Sequence, residues 1–363
     1  MKVISYTVAE LPTVLDEKYF QGTGQVPIGP LRAQAQHHNP RAEPSDRVLW
    51  CILSSEEKLV AYRLIVPGTL YHKEKVLKMA WYSCLWVDPS HRGKGYGKQL
   101  TNLALEEWKY KIAFVNASPA SLSLYSNIDG CRIMYKNKGT RYYFTSELAT
   151  ILPIKKPVLG KFTFLIKPVD FIINSLTGLT RKAKDVAVDY KIIERLSDEE
   201  EAFIKQFDQE NLSKRRKTEM NWLVDYPWVI ESSAQNPYTT RYHFSTQYPT
   251  YKNYFIKIEE TGKTSAIVLL KNKQSHFTVH YIWSTDQALA NVARAILSII
   301  KDKEPKTLSI FQQGLIVEMN KLKTGHLFKK ETTQLFMAYE GIPNWETSKN
   351  NIFQYGDGDT VFT

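Results

Sequence analysis

Residues 87–98 read Val87-Asp88-Pro89-Ser90-His91-Arg92-Gly93-Lys94-Gly95-Tyr96-Gly97-Lys98. Upstream lies a run of β-formers, VLKMAWYSCLWV over 76–87. Pro89 ends such a strand because proline cannot donate to a ladder. Downstream, residues 98–110 place Leu100, Leu103, Ala104 and Trp108 at helical spacing. Between strand and helix, Gly93, Gly95 and Gly97 alternate. Glycine adopts backbone conformations closed to other residues and lets a ligand approach the main chain. Amides turned inward there meet the positive end of the helix dipole, which makes an anion site suited to phosphate. Arg92, Lys94 and Lys98 add charge beside it. The string is neither a GxxxxGK[ST] phosphate loop nor a GxGxxG dinucleotide fingerprint. The plainer reading is a structural glycine turn before a core helix.

Working outward, residues 48–53 and 59–66 read as a hairpin across the polar turn 54–58. Residues 11–19 suit a short helix, and 21–46 form a long irregular stretch, of a kind that usually carries function. Residues 112–115 read as a strand and 122–126 as a short helix ended by Gly130. Segments 131–135 and 141–144 are expected to close the sheet. The second half repeats this order: helices over 198–210 and 215–225, a hairpin of 253–258 and 266–271, then a strand over 276–283. A helix over 287–300, a strand over 307–311, a helix over 315–322 and a strand over 331–339 follow. The repetition points to a structural duplication. The expected division is a first domain over 1–150, a basic linker over 151–190 that packs on the domains, a second domain over 191–345 and a tail over 346–363.

The chain has 363 residues and a formal charge of +11. Residues 1–150 carry +6, 151–190 carry +4 and 191–363 carry +1. A charge concentrated in the first half fits a polyanionic small ligand better than nucleic acid bound over the whole surface. The run Lys214-Arg215-Arg216-Lys217 resembles a short localisation or nucleic-acid patch, but a solvated helix start is the simpler use. Cys51, Cys84 and Cys131 have no metal-ligand spacing and suit a reducing compartment; no metal is expected. MKVISYTVAE lacks an apolar signal core, and no run of about 18 apolar residues exists to span a membrane. The expectation is a soluble cytoplasmic protein, with nuclear presence allowed, no membrane partner and no nucleic acid.

The glycine string also resembles a known pattern. Arg92-Gly93-Lys94-Gly95-Tyr96-Gly97 is similar to the R/Q-x-x-G-x-G/A motif of the GNAT superfamily of N-acetyltransferases, with the strand and helix in the family's register. About 30 residues on, Leu124-Tyr125-Ser126-Asn127-Ile128-Asp129-Gly130-Cys131 resembles the family's L-Y-x-x-x-G-F element, with one residue more and Cys in place of Phe. Together they cover roughly 48–146. The resemblance implies an α/β fold, an α+β mixed sheet of GNAT type, followed by a second, degenerate GNAT-like domain. It implies acetyl-CoA as co-substrate. Its pyrophosphate would lie on the amides of Arg92, Gly93, Lys94, Gly95, Tyr96, Gly97 and Lys98, and its pantetheine on the backbone of Leu85, Trp86 and Val87. Ser118 stands where relatives often have a CoA-contacting Asn.

The chemistry so implied is attack of an amine on a thioester. The oxyanion donor would be the backbone at 85–87, and Tyr125 occupies the family's general-acid position. A Tyr pKa of about 10 suits protonation of a thiolate; packing alone is the other use of Tyr125. No base stands out. Many relatives keep a Glu in the strand before the loop, and Trp81-Tyr82-Ser83-Cys84 has none; His37, His38, Glu43 and a water path from Tyr82 or Ser83 all remain open. Trp81 and Tyr82 alternate faces, so one could meet the acceptor, although core packing is the commoner use. At the equivalent point of the second half, Ser284-Thr285-Asp286-Gln287-Ala288 has no glycine and carries an acid. That half is read as lacking CoA and walling the acceptor site.

The layout and the terminal Asp-Gly-Asp-Thr-Val-Phe resemble the fungal lysine N6-acetyltransferases of lysine catabolism. That implies a small-molecule amine substrate, free lysine. Arg32, Arg41 and Arg47 are candidates for its carboxylate, and Asp357 and Asp359 for a cationic amine. A flexible tail is the alternative for those acids. A protein or peptide acetyltransferase and a non-catalytic CoA-binding scaffold are the other readings.

Overall fold

The computed structural model describes residues 1–22, 24–180, 188–234, 236–345 and 353–362. In chain order the strands are β1 (Lys2–Thr7), β2 (Arg47–Leu53), β3 (Leu59–His72), β4 (Lys75–Val87), β5 (Ile112–Val115), β6 (Arg132–Tyr143), β7 (Lys191–Ile193), β8 (Ile230–Glu231), β9 (Gln247–Tyr248), β10 (Tyr251–Glu260), β11 (Lys263–Lys273), β12 (His276–Ser284), β13 (Thr307–Ile310) and β14 (Phe328–Ala338). The helices are α1 (Pro30–His37), α2 (Tyr96–Glu107), α3 (Pro119–Ser126), α4 (Leu148–Lys155), α5 (Thr163–Thr180), α6 (Asp198–Ile204), α7 (Lys217–Asp225), α8 (Tyr238–Arg241), α9 (Leu289–Lys303) and α10 (Gln313–Lys321).

Two compact units are built from interleaved segments. The first holds Met1–Asn137, Arg195–Tyr251 and Gln334–Thr363; the second holds Lys138–Glu194 and Lys252–Thr333. The first unit's sheet runs β1-β2-β3-β4-β5-β14, antiparallel except for the β4–β5 pair. β3 is apolar and buried along most of its length, as a strand covered on both faces must be. α2 presents Leu100, Ala104 and Leu105 to the core shared with Ile52, Leu64 and Phe114. The second unit's sheet runs β6-β13-β12-β11-β10-β7, with α9 laying Val292, Ile296 and Ile299 onto Val268, Leu270 and Leu308.

These units correct the expected boundaries. β5 pairs with the end of β14, Phe336 to Ala338, while β13 pairs with the end of β6, Thr140 to Tyr143. The last strand of each half of the sequence therefore completes the sheet of the other. Segments 131–135 and 141–144 are one strand. The glycine between them serves close approach: a Cβ at Gly139 would lie 2.6 Å from the Ile310 carbonyl oxygen. Residues 195–251 belong to the first unit, so the second unit is not the whole of 191–345.

The expected linker is largely helical. α4, a 3-10 turn (Pro157–Phe162) and α5 occupy it. Buried Asp170 of α5 accepts the N–H groups of Leu148 (2.9 Å) and Ala149 (2.8 Å) and the Ser146 hydroxyl, and so caps α4. The linker's Arg181, Lys182 and Lys184 and the first part of the expected tail lie outside the described residues. The stretch 21–46 contains α1, and β1 is a strand that the sequence pattern did not mark.

Candidate active site

The glycine loop forms as its sequence requires. Gly93 and Gly95 have φ of 79° and 83°, a region that favours glycine, and Gly95 is the N-cap of α2. Gly97 lets α2 pack closely: a Cβ there would stand 3.5 Å from Leu124 Cδ2 and 3.7 Å from both Leu85 Cδ2 and Val87 Cγ2. Asp88 accepts the Ser90 N–H at 2.9 Å and closes the turn after β4. Arg92, Lys94 and Lys98 are exposed around the helix N-terminus, whose first turn holds no acid. Open space over two left-handed glycines, orphan first-turn amides and cations without a competing anion suit the diphosphate of an acyl-CoA.

Beside the loop, β4 parts from β5. Their parallel pairing covers Ala80 with Ile112 and Trp81 with Ala113, while Leu85 and Val87 keep their register on β3, opposite Arg63 and Ala61. Between Tyr82 and Leu85 the register slips, so that Ser83 and Cys84 face the single residue Leu64. Such a bulge re-aims side chains, and here it turns Ser83 to the diverging edge.

The tail crosses that edge. Ser83 Oγ donates to Asp359 Oδ2 at 2.8 Å, and Asn116 Nδ2, just past β5, donates to Thr360 Oγ1 at 3.1 Å. Gly358 packs on Trp81 and Val115. Phe362 stacks on Trp228 with ring centroids 4.2 Å apart and meets Trp222 edge-on. Val361 and Phe362 are buried, as their apolar character favours. Asp359 thus meets β4 through Ser83, whereas Asp357 turns back to accept the Gln354 N–H at 2.9 Å. Burial pushes the Asp359 carboxyl above its ordinary value, against the Ser83 hydrogen bond and the Arg32 and Arg215 charges that lower it.

Near Asp359 lie two buried arginines, Arg32 and Arg215. The Arg32 guanidinium sits 4.3 Å from the Trp228 ring and 5.6 Å from Tyr242, and it donates to Cys84 Sγ. Arg215 donates to the Gly358 carbonyl and lies 5.5 Å from the Phe362 ring. Among the described residues, Arg32 Nε, Arg215 Nη1 and Trp228 Nε1 are buried donors without an acceptor. A buried donor left so is costly.

Tyr125 of α3 is buried against Tyr82 (ring centroids 5.0 Å) and Phe114 (4.8 Å), with the Arg63 guanidinium 4.9 Å from its ring. Its neighbour Leu124 reaches Gly97, so α3 brings Tyr125 beside the loop. Trp86 is buried and stacks on Tyr62 at 5.5 Å. Ser118 is exposed and caps α3, accepting the Ser121 N–H at 3.2 Å. Trp81 and Tyr82 are both buried, Trp81 against Phe336 and Phe353, Tyr82 donating to the Thr101 carbonyl at 3.1 Å.

Other candidates are engaged elsewhere. His37 Nδ1 is 3.2 Å from the Val8 carbonyl, His38 stacks on Tyr226 at 4.0 Å, and Glu43 pairs with Lys78 at 2.8 Å. Arg41 pairs with Glu219 at 2.7 Å and Arg47 with Glu107 at 3.6 Å, which leaves Arg32 as the arginine beside β4. The run 214–217 is not a free basic patch: Arg216 pairs with Asp208 and Lys217 with Asp198. Trp228 and Tyr242 were missed. They belong to an irregular region without a motif, and only the long-range packing of 195–251 brings them here.

Residues 15–132 match the family model for the acetyltransferase (GNAT) domain. No curated protein sequence matches the chain significantly. Among solved structures, the fold is similar to a GCN5-related N-acetyltransferase from Anabaena variabilis (TM-score 0.50, 10% identity, 93% of this chain and 72% of that one). It is also similar to Saccharomyces cerevisiae N-myristoyltransferase with bound myristoyl-CoA (TM-score 0.51, 12% identity, 93% of this chain and 82% of that one). The fold class is thus the α/β mixed sheet of the GNAT type, and residues 15–132 carry its acetyltransferase domain. No helix among the described residues is long and apolar enough to cross a membrane.

Proposed function

We propose that this chain, with its GNAT-type acetyltransferase domain over residues 15–132, moves an acetyl group from acetyl-CoA to the side-chain amine of free lysine, as in the fungal lysine N6-acetyltransferases. The observation that carries the acceptor assignment is the pairing of one acid with unsatisfied buried donors. Asp359 is an acid suited to an ammonium, and Arg32 Nε, Arg215 Nη1 and Trp228 Nε1 are donors suited to a carboxylate. An amino acid with a terminal amine offers both groups.

In this mechanism the Gly93–Gly97 loop and the cations of Arg92, Lys94 and Lys98 hold the diphosphate. The backbone of Leu85, Trp86 and Val87 holds the pantetheine arm; Ser118 would meet the nucleotide end. Asp359, with its raised proton affinity, takes a proton from the lysine ammonium. The free amine attacks the thioester carbonyl, whose oxygen gains charge and is met by an amide of β4. The C–S bond breaks as the amide bond forms. Tyr125 gives its phenolic proton to the departing thiolate. Ser83 keeps the Asp359 carboxylate oriented. We assign the enzyme to the cytoplasm, where Cys51, Cys84 and Cys131 stay as the free thiols they are here.

The fold shared with N-myristoyltransferase supports a second reading, a longer acyl donor and a peptide acceptor. One experiment separates the two. Purified protein is assayed with acetyl-CoA and myristoyl-CoA against free lysine, 1,5-diaminopentane, polyamines and a histone-tail peptide. Preference for lysine over the diamine, which lacks the carboxylate, is expected. Calorimetry should show CoA binding that Gly95→Glu abolishes. Binding without turnover on any amine would sink the enzymatic reading, and a peptide preference would sink the lysine assignment.

A further inference from the structure

Half of the exposed large apolar side chains among the described residues fall in one short stretch of the second unit, 154–172. They include Ile154 (78% exposed), Val158, Phe164 (65%), Leu165, Phe171 (72%) and Ile172. On α5, Phe164, Leu165, Pro168, Phe171 and Ile172 recur at helical spacing and form one outward stripe. Ile166, Asp170 and Ile173 lie on the other side and are less exposed. An aqueous protein gains nothing by presenting two phenylalanines and their aliphatic neighbours together, so such a patch marks an interaction surface.

Charge says what covers it. Lys155, Lys156, Lys161 and Lys167 are all exposed around the patch. Asp170 is the one acid in the sequence of 148–175, and it is buried as the cap of α4. The exposed charge of this helix pair is therefore wholly positive, bordering a face of Phe, Leu, Ile and Val. That composition belongs to helices lying in the interface of an anionic bilayer, apolar side chains among the acyl chains and lysines at the headgroups. A protein partner would have to supply both an apolar groove and a ring of acids. A spanning mode is closed, since no described helix is long and apolar enough.

We propose that α4 and α5 form a peripheral docking surface for anionic lipid. The residues the sequence suggested as a basic linker are then the segment that holds the enzyme at a membrane face.

The test is co-sedimentation of the full chain with phosphatidylcholine vesicles, with and without phosphatidylserine. Binding to the serine-containing vesicles is expected, weakening about 5-fold for each lysine removed and falling with added salt. Phe164→Asp with Phe171→Asp should abolish it while the melting temperature and acetyl-CoA binding stay unchanged. Should that pair disturb folding, Lys155→Ala with Lys161→Ala and Lys167→Ala leaves the apolar face intact and must lose the salt-sensitive binding. No binding to either vesicle overturns the proposal. So does a wild-type dimer that the phenylalanine variant converts to a monomer, because the patch then covers a second copy.

Discussion

Ser83 and Asp359 share a hydrogen bond of 2.8 Å although 276 positions separate them in the chain. The bond ties the tail to the bulge of β4, at the edge where β4 leaves β5. It makes a segment far from the glycine loop part of the candidate site.

Replacing Asp359 tests that role. Asp359→Asn keeps the shape and the acceptor for Ser83 but removes the base. The rate with lysine should fall by roughly 10²- to 10⁴-fold, the usual worth of a positioned base, with CoA affinity unchanged. The stability effect has the opposite sense. Burial raises the native carboxyl's pKa, so the native state holds the proton over the window between the ordinary and the raised value. Stability therefore declines as pH rises through that window. The Asn variant should lack this decline, which melting curves across the acid range will read. A variant that keeps its turnover would remove Asp359 from the mechanism.

Tyr125→Phe tests the acid. The ring contacts with Tyr82 and Phe114 survive this change, so the fold should too. The expected result is a fall in kcat of about 10²-fold or more. Unchanged turnover would leave Tyr125 as a packing residue beneath Arg63.

What could be read in the sequence was local. The glycine loop, its flanking strand and helix, and the hairpin of β2 and β3 follow from the spacing of glycine, proline and apolar residues over short stretches. The repeated order of elements was equally visible. The exchange of β6 and β14 was not, because it depends on which sheet a strand joins, and pairing choice is a long-range property. The reason for Gly139 is also long-range: the Ile310 carbonyl lies against its Cα. By residue type alone the sequence offers Arg32 only beside Arg41 and Arg47, and Asp359 only beside Asp357. Trp228, Tyr242 and Arg215 were not legible, since their orphan or stacked groups have meaning only once 195–251 folds over the tail.

The cations of the loop give an ionic-strength prediction. Arg92, Lys94 and Lys98 are exposed, so each should add only modestly to diphosphate binding, about 0.3–1 kcal/mol. Single Ala variants should raise the KM for acetyl-CoA about 2- to 5-fold with kcat unchanged. The differences should shrink with salt, as a Debye length of about 3 Å at 1 M requires. An equal loss at all salt concentrations would mean that these side chains shape the loop instead of attracting the ligand.

Gly358→Ala probes the docking of the tail. Gly358 has φ of 75°, and a Cβ there would lie 2.6 Å from Val115 Cγ1 and 3.3 Å from Trp81. Left-handed strain and the clash each cost about 1–3 kcal/mol. Because the tail lies over the edge of the first unit's sheet and is not one of its strands, the penalty should be met by local release. Hydrogen exchange over 353–362 should speed up by at least 10-fold while the melting temperature moves little. Turnover with lysine should drop alongside it, since Asp359 leaves Ser83, whereas CoA binding at the glycine loop should be unaffected. A large fall in melting temperature with unaltered tail exchange would show instead that Gly358 supports the packing of Trp81 and Val115.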